Sequence, residues 1–288
     1  MLKNIILFLS LALILGSCGK FHKVMQSDDV ELKYEASQKY YEEENYYKAG
    51  LLIEDIQAAF IGTERAEKLQ FQYANTQYEQ QQYLMSNHYF KTFYNTYNRS
   101  PYAEQALFLS AYSLYKDTPR YNLDQSNTTK AISEMQDFMN RYPESEYIDE
   151  ANEVIVKLRQ RLEKKGFESA MEYYTLRRYK AAAVALDNFT KDYPDSKYKQ
   201  QALYHKLESE YELAKISYFS KQEERYEAAL TTYEKFVERY PSSEYKREAD
   251  KIATMSRNEL NRVKSLMTSS SKEAKKLKEK EEKAEEEE

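Results

Sequence analysis

Phe189-Thr190-Lys191-Asp192-Tyr193-Pro194-Asp195-Ser196 is the stretch whose reading decides the fold. Phe189 and Tyr193 are four apart, so on a helix they share one face and pack inward together. Pro194 cannot continue that helix, and it pushes the residue before it out of the α region. Ser196 then supplies a hydroxyl suited to capping a following helix. The pattern recurs as Phe138-Met139-Asn140-Arg141-Tyr142-Pro143-Glu144-Ser145 and as Phe236-Val237-Glu238-Arg239-Tyr240-Pro241-Ser242-Ser243. A degenerate copy has Phe93, Tyr97, Asn98 and Ser100, with Pro101 placed where a helix loses nothing by lacking an N–H.

Outward from these stops, a second pattern marks the helix that opens each pair. It is Ala-x-x-x-Tyr, at Ala36/Tyr40, Ala74/Tyr78, Ala111/Tyr115, Ala170/Tyr174 and Ala214/Tyr218. The small residue admits a partner helix, and the tyrosine lies one turn on along the same face. Tyr47-Lys48-Ala49, Tyr179-Lys180-Ala181-Ala182 and Tyr226-Glu227-Ala228-Ala229 cue the second helix of a pair. The spacing of Ala170, Tyr173, Tyr174, Tyr179, Ala182, Leu186 and Pro194 resembles a tetratricopeptide repeat. The expected fold is all-α, a right-handed superhelix of about five tetratricopeptide-like helix pairs plus a C-terminal capping helix. The pairs fall near 29–62, 64–99, 101–144, 146–195 and 197–242, and the cap near 244–267. Asp117 to Asn127 reads as an enlarged loop. Glu146 to Tyr174 reads as one long helix or as two joined at Gly166.

Composition supports helices throughout. Five Gly and five Pro in 288 residues leave little turn chemistry for a β-protein, while charged residues reach 32%. A net charge of −5 provides no basic footprint, so no nucleic-acid partner is expected.

The first residues fix the expected compartment. Lys3 and the apolar run Ile5 to Leu15, too short for a mature membrane span, read as a signal peptide at 1–17. Leu15-Gly16-Ser17-Cys18 is similar to a bacterial lipobox, with Cys18, the only cysteine, as the acylated residue. Residues 18–28 follow as a lipidated linker, 29–144 as N-terminal repeats, and 145–267 as C-terminal repeats and cap. From 268 to 288 a Lys/Glu-rich tail has too little apolar surface to order itself; a solvated single helix held by i,i+4 pairs is the alternative.

A stack of helix pairs presents a concave wall built from the first helix of each pair. The register places Tyr40, Tyr41, Phe71, Asn75, Tyr78 and Tyr115 on that wall as a peptide-binding groove. Tyrosine offers contact area and a hydroxyl at low rotamer cost. Packing between helices is the competing reading for each ring. Chemistry is not indicated: His22, His88 and His205 lack ligand spacing, and neither a phosphate loop nor a nucleophile elbow is written. No catalysis, cofactor or metal is expected.

The layout as a whole resembles the BamD-type outer-membrane assembly lipoproteins over about residues 13–267. Ala151 to Leu162 and Tyr173 to Ala182 carry the resemblance, together with the lipobox and the Tyr-Pro-x-Ser ends. It implies a non-catalytic scaffold of the β-barrel assembly machinery, anchored in the outer membrane and facing the periplasm. The implied partners are a BamA-like barrel subunit docking within about 146–267, unfolded outer-membrane proteins in the N-terminal repeats, and accessory lipoproteins. Glu163-Lys164-Lys165-Gly166 and Lys199-Gln200-Gln201 depart from the family pattern, so no particular ion pair to the barrel subunit is implied. The alternative role is a lipoprotein of the same repeat class that coordinates cell-wall synthesis or envelope constriction.

Overall fold

The computed structural model describes residues 19–286, with side chains through 269; Cys18 and the expected signal peptide lie outside the described residues. Among the described residues there are helices and no strands. The chain forms two compact units, Met1–Leu162 and Glu163–Glu288. The first holds α1 (Val30–Glu42), α2 (Tyr46–Ile56) with a 3-10 turn (Gln57–Phe60), α3 (Glu64–Glu79), α4 (Tyr83–Thr96), α5 (Ala103–Asp117) and α6 (Ser126–Arg141). α7 (Ile148–Thr175) begins in the first unit and ends in the second, which continues with α8 (Tyr179–Asp192), α9 (Lys199–Lys215), α10 (Phe219–Arg239) and α11 (Lys246–Glu286). Within each unit successive helices pack on one another, and α9 also touches α11, as tetratricopeptide-like hairpins do.

The helix stops behave as the sequence dictates. α6, α8 and α10 each end one residue before the tyrosine that precedes proline. Tyr142, Tyr193 and Tyr240 leave the helix at ψ of 67°, 71° and 61°, while their N–H groups still reach the carbonyls of Phe138, Phe189 and Phe236 at 2.9, 3.0 and 2.8 Å. Tyr97 copies the geometry at ψ 51° although Asn98 replaces the proline. The serines then accept the N–H two residues on: Ser145 from Tyr147 at 3.1 Å, Ser196 from Tyr198 at 3.0 Å and Ser243 from Tyr245 at 3.0 Å.

Inside a pair, the first helix ends in a left-handed residue. Glu44, Gln81 and Arg177 have φ of 56°, 60° and 54°. The next N–H folds back five residues, Asn45 to Tyr40, Gln82 to Gln77 and Arg178 to Tyr173, at 2.8 to 2.9 Å.

The small residues are buried as expected at Ala74, Ala111, Ala170 and Ala214. Tyr218 corrects the fifth copy: α9 stops at Lys215, so this ring lies beyond the helix and is 89% exposed. α10 also begins at Phe219, about two turns ahead of the Tyr226 cue. α7 is one uninterrupted helix, and Gly166 is a close approach instead of a break. A Cβ there would lie 3.1 Å from Tyr193 Cε2. The tail, expected from its composition to lack order with a solvated helix as the alternative, continues α11 as helix to Glu286.

Candidate functional site

The expected groove residues sit on α1, α3 and α5 of the first unit, and the structure divides them into two pairs and two residues that stand apart. Tyr41 and Asn75 come together, with the Asn75 amide donating to the Tyr41 hydroxyl at 2.7 Å. Tyr46, the first residue of α2, meets the Tyr41 ring edge-on at 5.6 Å. Burial, with the nearby Tyr46 and Glu79, pushes the Tyr41 hydroxyl up to about 12 against the opposing Asn75 hydrogen bond. At neutral pH it is therefore a protonated, neutral donor.

Tyr78 and Tyr115 form the second group, joined by a residue the sequence reading passed over. Tyr112 lies 6.4 Å from the Tyr78 ring and 5.3 Å from the Tyr115 ring. Tyr83 closes the other side of Tyr78 at 5.6 Å. Burial pushes the Tyr78 hydroxyl up to about 12, with Tyr83, Glu79 and Glu150 adding to it. Burial also raises Tyr112, and the neighbouring Glu150 adds to the rise. Glu79 thus acts on Tyr41, Tyr46 and Tyr78, and links the two groups electrostatically. The result is a half-buried row of neutral phenols flanked by carboxylates.

Tyr40 is separate. It meets Phe21 edge-on at 5.6 Å and lies under Lys48 Nζ at 5.1 Å.

Phe71 is a correction. Only 8% exposed, it packs at 5.5 and 5.7 Å against Phe90 and Phe93 and lies beneath Tyr102 at 4.9 Å. Helical periodicity places it on the right helix, but the loop leading into α5 covers it. It belongs to the core.

In the second unit, Glu208 gathers a comparable group. The Tyr204 hydroxyl donates to Oε1 at 2.8 Å, and His205 Nδ1 meets Oε2 at 2.7 Å. The Tyr174 ring lies 4.8 Å from His205 and 6.4 Å from Tyr179. Among the described residues, no group of three or more His, Cys, Asp or Glu is placed to hold a metal ion, and no helix is long and apolar enough to cross a membrane.

Helix hairpins packed in succession, with half-buried tyrosines on the first helix of each pair, define a protein of the tetratricopeptide-like class. Residues 26–223 and, overlapping them, 170–270 match the YfiO family, described as an outer membrane lipoprotein. The chain belongs to this family, the BamD-type lipoproteins that the sequence resembles. Among curated proteins none matches it.

Proposed function

We propose that the chain is a non-catalytic, lipid-anchored scaffold of the β-barrel assembly machinery, held to the outer membrane through Cys18 and facing the periplasm. It binds a BamA-like barrel subunit through the repeats within 145–267 and unfolded outer-membrane proteins through the N-terminal repeats. Family membership is the observation that carries this reading. The phenol row gives it chemistry: Tyr41, Tyr46, Tyr78, Tyr112 and Tyr115 offer ring faces to aromatic side chains and hydroxyls to an extended backbone.

Depletion tests it. Loss of the chain is expected to empty the outer membrane of β-barrel proteins, and detergent capture through the full chain is expected to recover a large barrel protein. Barrel levels that hold while division or wall growth fails would replace this reading with the envelope-constriction role.

A further inference from the structure

Arg177, Arg178 and Lys180 gather at the turn between α7 and α8, on the edge of a cavity of about 710 Å3. Its wall and floor are apolar, with Tyr173 from α7, Val184 and Ala185 from α8, and Leu213 and Ile216 from the end of α9. No acidic residue lines it, although the chain carries a net charge of −5. None of the three cations makes an ion pair or a side-chain hydrogen bond with any described residue. The apolar side is equally unspent: Val184 is 56% exposed and Ile216 is 68% exposed.

The turn does not need these cations in order to fold. Arg177 occupies the left-handed position that Glu44 and Gln81 hold in the matching turns of α1–α2 and α3–α4. Glycine would be the least strained residue at all three. Three different side chains at one backbone conformation leave the choice of arginine here to the surface.

We propose that this cavity docks a segment of a partner protein in which carboxylates flank a large apolar side chain. The apolar floor takes a Leu or Phe side chain in a volume usual for a binding pocket. The two guanidinium groups take carboxylates in forked pairs, and Lys180 adds a third charge. Asn188, also in the lining, offers an amide donor and acceptor that a peptide backbone would satisfy and an acyl chain would not. The inference deepens the scaffold reading by stating the chemistry of one partner segment. Its test uses purified chain and synthetic peptide, so its failure is distinct from failure of the depletion experiment.

The probe is a fluorescein-labelled decapeptide with Phe and Leu set among four Glu residues, titrated with the full chain in detergent. Saturable binding is expected, weakened by salt and absent for the same peptide with Lys in place of Glu. Arg177→Gly keeps or improves the turn while removing a charge, and is expected to weaken binding about tenfold with no fall in Tm. Val184→Asp, on an exposed site, is expected to weaken it at least as much. Three results would overturn the proposal. One is equal binding by wild type and both variants. Another is capture of vesicles of phosphatidylethanolamine and phosphatidylglycerol with no capture of the peptide. The last is markedly tighter peptide binding once residues 270–288 are removed, which would make the acidic tail the occupant.

Discussion

Tyr198 lies flat on Phe167, with ring centroids 4.7 Å apart and planes 9° from parallel. Phe167 sits on α7, and Tyr198 follows the serine that starts the next pair, so the stack ties one hairpin to its successor. Tyr102 on Phe71, Tyr147 on Phe108 and Tyr245 on Tyr204 repeat it at 4.9, 4.5 and 4.7 Å. Each lower ring is buried. In a stack whose stability resides in neighbouring interfaces, this contact is where each repeat engages the next.

Phe167→Ala is therefore expected to cost about 3–5 kcal/mol, through the lost ring and the cavity beneath Tyr198. Tyr198→Phe keeps the stack and is expected to stay within about 0.5 kcal/mol of wild type. Denaturant melts followed by circular dichroism compare the two. Equal losses would mean that the Tyr198 hydroxyl, and not ring stacking, holds the junction.

The stack also marks the limit of what the sequence discloses. Pair boundaries are legible because Tyr-Pro and the following serine act locally, and the ends of α6, α8 and α10 fall where those residues put them. The burial of Phe71 is not legible in the sequence, because its covering ring, Tyr102, arrives from the following repeat and no periodicity within α3 reports it. Tyr112 carries no spacing signal of its own, since Ala111 and Tyr115 alone form the pattern, and its role depends on Tyr78 from another helix. Gly166 leaves one long helix and two joined helices equally open in the sequence, because the ring of Tyr193 that presses on it comes from beyond α8.

The phenol row leads to a separable prediction. Tyr78 is half-buried between Tyr83 and Tyr112, so Tyr78→Ala is expected to weaken capture of an aromatic-ended peptide about tenfold while helicity holds. Tyr112→Phe should act more mildly, because it removes only the hydroxyl near Glu150 and leaves the ring in place. Peptide titration and thermal melting on the same samples decide the matter. A lowered Tm with unchanged binding would make Tyr78 a packing residue only.

Glu208 gives stability a pH dependence. Burial alone would raise its carboxyl, but hydrogen bonds from His205 and Tyr204 and the charge of His205 outweigh burial and hold it below the ordinary value of 4.5. A carboxyl depressed in the fold contributes stability that is fully present above its unfolded value and is lost as pH falls through the folded one. Glu208→Gln is thus expected to melt lower than wild type at pH 7, with the gap closing below about pH 4.5. A gap that persists unchanged into acid would show that side-chain shape, not charge, is what Glu208 supplies.

Two residues along α9, Glu210 carries the opposite sign. Its Oε2 is buried without a hydrogen-bond partner, and Lys206 Nζ stands 3.7 Å from Oε1. Burial raises its carboxyl, Asp187 adds to the rise, and Thr232 and Lys206 offset only part of it. A raised carboxyl penalises the folded state wherever the group is charged, and the penalty is relieved as pH falls through the folded value. Lys206 keeps a second partner in Asp187 at 2.6 Å, so replacing Glu210 does not strand it. Glu210→Gln is therefore expected to melt higher than wild type at pH 7, with the advantage vanishing in acid. A lower Tm at neutral pH would mean that the pairing with Lys206 outweighs the cost of burying the charge.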